Sequence, residues 1–194
     1  MEYQAFDPSG MTSILVPENE MEKNILNDPD VLKGLCWGYP RFGHPEGKVL
    51  FHIKEIFDNI DKIAADPNFR RKLRLLALVH DTFKYQEDRK LISTDPSKHH
   101  AYIAHNYLKQ YTQEEDVLQV VRTHDDAYYA WRADYAYRDP ESAEVMLARL
   151  LENNGDHLDL YYTFFVCDTR TGDKNQSPIR WFEEKTGRMK KIKI

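Results

Sequence analysis

Apolar side chains recur along this chain at intervals of three and four, the period of helices that bury one face. Val49, Ile53, Ile56, Ile60 and Ile63 make one such stripe, Val117, Val120 and Val121 a second, and Tyr161, Phe164 and Phe165 a third. The run Leu75-Leu76-Ala77-Leu78-Val79 is apolar without interruption, as in a helix covered on most sides. Prolines open several of these segments. Asp28-Pro29, Asp66-Pro67, Asp95-Pro96, Asp139-Pro140 and Ser177-Pro178 each set a capping side chain ahead of a proline suited to the first helical position, and Thr112-Gln113-Glu114-Glu115 is a capping box. These signals predict helices over about 17–27, 29–36, 47–64, 67–81, 96–111 and 113–124, from about 140, from about 156 and over about 178–186. The stretches 37–47, 85–95 and 125–139 are expected as loops, the last rich in aromatic residues. Residues 1–16 lack a helical period, and Met11–Val16 reads as an extended arm or an isolated strand. With no run of alternating strands and no internal repeat, the expectation is an all-α bundle forming a single domain over 1–194.

Several polar residues occupy positions that the period assigns to the core. His52 lies between Val49 and Ile56, and His80-Asp81 ends the apolar run. His100 precedes Ile103, Ala104, Tyr107 and Leu108 at helical intervals, His124 continues the Val117 stripe, and Asp168 continues the Tyr161 stripe. One histidine on an apolar stripe is more often a hydrogen-bonded core residue than a ligand. Six such groups on five helices would need six separate satisfied networks, whereas convergence on one or two cations satisfies them together. A donor set of four His and two Asp suits Mn, Fe, Zn, Co or Ni better than Mg or Ca. His99 competes with His100 for an inward position, and Asp156 with Asp168.

Composition narrows the setting. The hydrophobic share of 41 % is that of a globular protein, and no segment approaches a membrane span of about 20 apolar residues. A net charge of −5 argues against a general nucleic-acid binder. Two cysteines without CxxC spacing indicate neither a disulfide framework nor a zinc finger, and with no secretory leader in the acidic first residues the cytoplasm is the expected compartment. The basic tail 188–194 reads as solvated, and homo-oligomerisation stays open.

The order His52 … His80-Asp81 … Asp168 resembles the HD-domain superfamily of metal-dependent phosphohydrolases. Gly43-His44-Pro45-Glu46-Gly47 is similar to the lead-in to the first ligand in many members, and His80-Asp81-Thr82-Phe83-Lys84 to their HDxGK-type motif, with Phe83 where Gly is common. The resemblance spans about 40–170, leaving an N-terminal extension, 1–35, and a C-terminal helix and tail, 175–194. It implies an HD-like helical bundle with one or two divalent transition-metal ions at its centre. His52, His80, Asp81 and Asp168 would be the primary ligands, with His100 and His124 matching the additional ligands of dinuclear members. The expected reaction is hydrolysis of a phosphate ester, of a nucleotide or another small phosphorylated metabolite, by a metal-activated water. Asp81 would orient that water and Lys84 would meet a phosphoryl oxygen, with Arg41, His44 and Arg170, and also Lys174, as further substrate contacts. Two other readings remain: an HD-type di-iron oxygenase using the same six ligands, and a degenerate bundle that only binds. Lys84 favours hydrolysis.

Overall fold

The computed structural model describes residues 10–63 and 66–187. Residues 1–9, the expected helix end at 64 and the basic tail 188–194 lie outside the described residues. Eleven α-helices and no strands are present among those described. They are α1 (Met11–Ile14), α2 (Glu20–Leu26), α3 (Pro29–Leu35), α4 (Val49–Ile63), α5 (Pro67–Val79) and α6 (His100–Leu108). After these come α7 (Glu115–Thr123), α8 (Asp126–Tyr135), α9 (Pro140–Asn154), α10 (Leu158–Thr169) and α11 (Ser177–Thr186).

The helix starts follow local chemistry. Asp28, Asp66 and Asp139 cap α3, α5 and α9 by accepting from Asp30, Phe69 and Ser142 backbone N–H groups, each with proline in the first turn. Asp95-Pro96 opens only a single 3-10 turn, Pro96–Lys98, so the expected helix from 96 begins at His100, capped by the His99 ring. The Thr112 hydroxyl accepts from Glu114 N–H, a turn that delays α7 to Glu115.

Two expectations are corrected. Met11–Ile14 is a helical turn, not a strand or extended arm. The stretch 125–139 is mostly the helix α8, whose buried face is Ala127, Ala130, Trp131 and Ala133. Three of those four are alanines, too weakly apolar to register as a stripe beside the tyrosines.

At the middle of the molecule stands α5, with α2, α4, α7 and α10 against it and Leu73 through Val79 buried. Its one buried cation, Arg74, donates to both carboxylate oxygens of Glu22 and to the Val16 carbonyl, and lies 3.8 Å over the Phe57 ring. On the other side α3 approaches the turn after α5 so closely that a Cβ at Gly34 would sit 1.9 Å from the Thr82 carbonyl oxygen. The segment ahead of α4 therefore braces the helix that presents His80 and Asp81. One hydrophobic cluster, from Leu15 to Phe182, encloses these contacts.

Candidate metal centre

Four buried histidines converge beneath the C-terminal end of α5, and each has its Nδ1 engaged. His80 and His124 follow the last residues of α5 and α7, where helix carbonyls lack intrahelical partners. Their Nδ1 atoms take the Ala77 and Val121 carbonyls at 3.0 and 2.8 Å. His100, at the start of α6, sets Nδ1 against the Glu87 carboxylate. His52, on α4, sets Nδ1 3.2 Å from the Thr171 hydroxyl, which spends its own proton on the Asp168 carbonyl at 2.7 Å. In the neutral form of each ring this network assigns the proton to Nδ1 and leaves Nε2 as a lone pair, the ligand form of imidazole.

The Nε2 atoms form two groups that meet at Asp81. In the first, His52 Nε2 is 2.9 Å from Asp168 Oδ1 and 3.8 Å from Asp81 Oδ2. His80 Nε2 is 3.7 Å and 3.6 Å from the same two atoms. Neither nitrogen has a hydrogen-bond partner. In the second, His100 Nε2 and His124 Nε2 are 3.3 Å apart and each lies 3.6 Å from Asp81 Oδ1. Donor atoms sharing a divalent first-row ion at about 2.1 Å lie about 3–3.5 Å from one another. The separations here, 2.9–3.8 Å, bracket that spacing, and buried orphan nitrogens with carboxylates among them fit a metal centre.

Charge in the cluster is compensated from within. Burial would raise the Asp81 and Asp168 carboxyls, but both are held well below the usual carboxylate range, Asp81 by Lys84 and His80 and Asp168 by Lys174, His52 and His80. The Lys84 ammonium donates to Asp81 Oδ2 at 2.6 Å and the Lys174 ammonium to Asp168 Oδ1 at 2.9 Å. His52 is pushed down to about 4 by burial and by Lys174, so it is neutral. Burial would lower His124 too, yet the Asp125 and Asp81 carboxylates raise it to about 9.

Above the cluster opens a cleft of about 590 Å³ whose lining includes Asp81, His100, His124 and Asp168. Arg41, Lys84, Arg89, Arg132 and Lys174 bring positive charge to it, and Phe42, Tyr128 and Tyr129 bring aromatic faces. Of the expected substrate contacts, Arg41, His44, Lys84 and Lys174 line the cleft, and Arg170 does not. His99 uses its Nδ1 to cap α6 and stacks on His100, so His100 alone of the pair points into the cluster. Asp156 is exposed in the turn before α10, far from the position Asp168 takes against His52.

Asp125, Glu87 and Thr171 went unnoticed in the sequence. Asp125 Oδ2 lies 3.2 Å from His100 Nε2 and 3.6 Å from His124 Nε2. Its only local signal was the second His-Asp doublet, His124-Asp125. Glu87 and Thr171 sit between helices, where no period reports orientation.

A family model for the HD domain matches residues 42–153, more than half of the chain, a span that holds His52, His80, Asp81, His100 and His124. No curated protein and no solved structure matches the chain.

Proposed function

The chain belongs to the HD-domain family, and from that premise we propose that it is a metal-dependent phosphohydrolase acting on the phosphate ester of a nucleotide or similarly small metabolite. The observation that carries the reading is the placing of Asp81. Its two oxygens face two separate His groups, at the floor of a cleft rimmed by cations. His52, His80, Asp81 and Asp168 would hold one divalent ion, and Asp81, His100 and His124 a second. When bound, such ions supply a water that ionises near neutral pH and positive charge for phosphoryl oxygens.

The chain's own groups do the rest. Glu87, Thr171 and the Ala77 and Val121 carbonyls fix the four imidazoles so that each lone pair points inward. Lys84 and Lys174 supply point charges for non-bridging phosphate oxygens, and Arg41 and His44 close the cleft from the turn before α4. A cleft of about 590 Å³ has the size of ordinary small-ligand sites, and Tyr128 and Tyr129 offer faces against which a base can lie. The donor set of four His and two Asp also matches a di-iron oxygenase, but the ammonium beside Asp81 favours phosphate.

Metal analysis of the purified protein comes first, followed by phosphate release from a nucleotide panel and a generic phosphate ester with Mn, Co, Ni or Mg. Metal-dependent release that disappears in His80→Ala is expected. A metal-free protein that His80→Ala leaves unchanged would sink the reading, and two irons without phosphate release would turn it to the oxygenase.

A further inference from the structure

The two halves of the cluster are built alike. In the first, α4 carries His52 and the following helix, α5, ends in His80-Asp81. In the second, α6 carries His100 and the following helix, α7, ends in His124-Asp125. Both doublet histidines sit immediately after the last helical residue and bond the carbonyl three residues back. The first half has two His Nε2 atoms and two carboxylates, from Asp81 and Asp168. Counted without Asp125, the second has the same two nitrogens but only the Asp81 carboxylate.

The nitrogens of that second half are aimed at one another. His100 Nδ1 faces Glu87 and His124 Nδ1 faces a carbonyl, which turns both Nε2 atoms towards one point, 3.3 Å apart in a site where both side chains are almost fully buried. That separation suits two donor atoms on one ion, and once His124 gives up its proton both nitrogens offer lone pairs to a shared cation. Asp125 Oδ2 is the remaining oxygen facing both, at 3.2 and 3.6 Å, the spacing found within the first half. The turn that carries it is pinned: the Tyr161 hydroxyl accepts from Ala127 N–H at 3.0 Å and donates to the His124 carbonyl at 3.3 Å. Asp125 also lines the cleft, which a residue serving only to buttress a buried imidazole need not do.

We propose that Asp125 is a direct ligand of the second metal ion, giving both halves two imidazoles and two carboxylates with Asp81 shared between them. The proposal rests on the reading of the cluster as a two-ion centre. The extra carboxylate draws the second site towards divalent ions that accept oxygen ligands.

Calorimetry with Mn(II) on chelator-treated protein, the wild type beside Asp125→Asn, tests the count of ions. The wild type is expected to take two equivalents. The variant should keep the first and bind the second about 100-fold or more weakly. An Asp125→Cys variant loaded with Co(II) tests contact itself: a sulfur-to-cobalt charge-transfer band in the near ultraviolet, absent from cobalt-loaded wild type, is expected only if side chain 125 touches the metal. A second equivalent bound by Asp125→Asn with unchanged affinity, or two cobalt ions in Asp125→Cys without the band, overturns the assignment and leaves the two-ion centre standing. If the cysteine variant takes one ion only, the asparagine variant decides. A wild type that takes fewer than two ions removes the two-ion reading and this proposal with it.

Discussion

Lys84 is held on Asp81 by the turn that follows α5, 2.6 Å from an oxygen that also faces His52 and His80. Burial would lower its pKa, but the Asp81 and Asp125 carboxylates raise it, so it is charged at any physiological pH. Lys84→Met is therefore expected to cut kcat/KM for a phosphate ester by about 10²–10³-fold, the usual loss of one preorganised donor, with metal content retained. Phosphate-release assays beside metal analysis check this. His124 gives a pH dependence. Its proton, held up to about pH 9 by Asp125 and Asp81, must leave before Nε2 can bind an ion. Affinity at the second site should thus fall about tenfold per unit as pH drops below about 9. His52, in the first site, carries no such penalty at neutral pH, being neutral down to about 4. Stepwise Mn(II) titrations at several pH values measure both. At this scale the sequence was readable wherever a residue sat on a stripe: His52, His100 and Asp168 fall at inward positions of their helices, and His124 prolongs the α7 stripe by one residue past its end. Asp125 was not readable, since it follows α7 and owes its aim to a turn pinned by a distant tyrosine.

Among the elements, α3 and α8 show what periodicity reports and what it omits. For α3 the helix and its Asp28 cap were evident, but its purpose lies in a contact. Gly34 lets it touch the Thr82 peptide, the residue after Asp81. In an isolated helix Gly34→Ala would add up to about 1 kcal/mol. Here the new methyl meets a backbone oxygen at 1.9 Å, in a place where neither side can yield cheaply. A net loss of about 1–3 kcal/mol is expected, together with weaker metal binding as Asp81 shifts. Thermal melts and metal titration on one sample test both. Lack of any loss would mean that α3 is free to move away from the centre. The alanine face of α8 hid that helix from a reading based on large apolar residues, and with it the platform that carries Tyr128 and Tyr129 to the cleft.

Across the whole molecule, titration should set a stability optimum for the metal-free protein. His52 and His99 both fall to about 4 on folding from a usual 6.5, chiefly through burial. The unfolded chain then binds more protons, and stability drops as pH falls from about 6.5 towards 4. His124 works in the opposite sense: raised to about 9, it stabilises fully below 6.5 and loses that contribution as pH climbs to about 9. Asp126, raised to about 6 by burial, partly offsets the acid loss. Urea melts of chelated protein should therefore show greatest stability near pH 6.5; a profile flat from 4 to 9 would contradict this. The region ahead of α4, outside the matched family span, has its own part. Glu22→Ala leaves buried Arg74 with only the half-exposed Glu18 carboxylate at 3.4 Å and should cost about 3 kcal/mol, read from the same melts. No stripe revealed that pair, because Glu22 and Arg74 lie on different helices and each looks like an ordinary surface residue in its own.

The ammonium groups on Asp81 and Asp168 bear on when the protein can be made. A zinc finger stays unfolded until its ion arrives, since nothing else neutralises its ligands. Here Lys84 and Lys174 act as resident counter-ions, so the chain can fold first and be loaded afterwards. Chelated protein should melt cooperatively, and saturating metal should add only about 2.7 kcal/mol per site at a hundredfold excess over Kd. Ions held by Asp81 and Asp168 would compete with both ammoniums for these carboxylates, and both lysines line the cleft above. Loading and arming would then be one event, with the cations that balance the carboxylates turned towards an incoming phosphate as the metal takes over that charge.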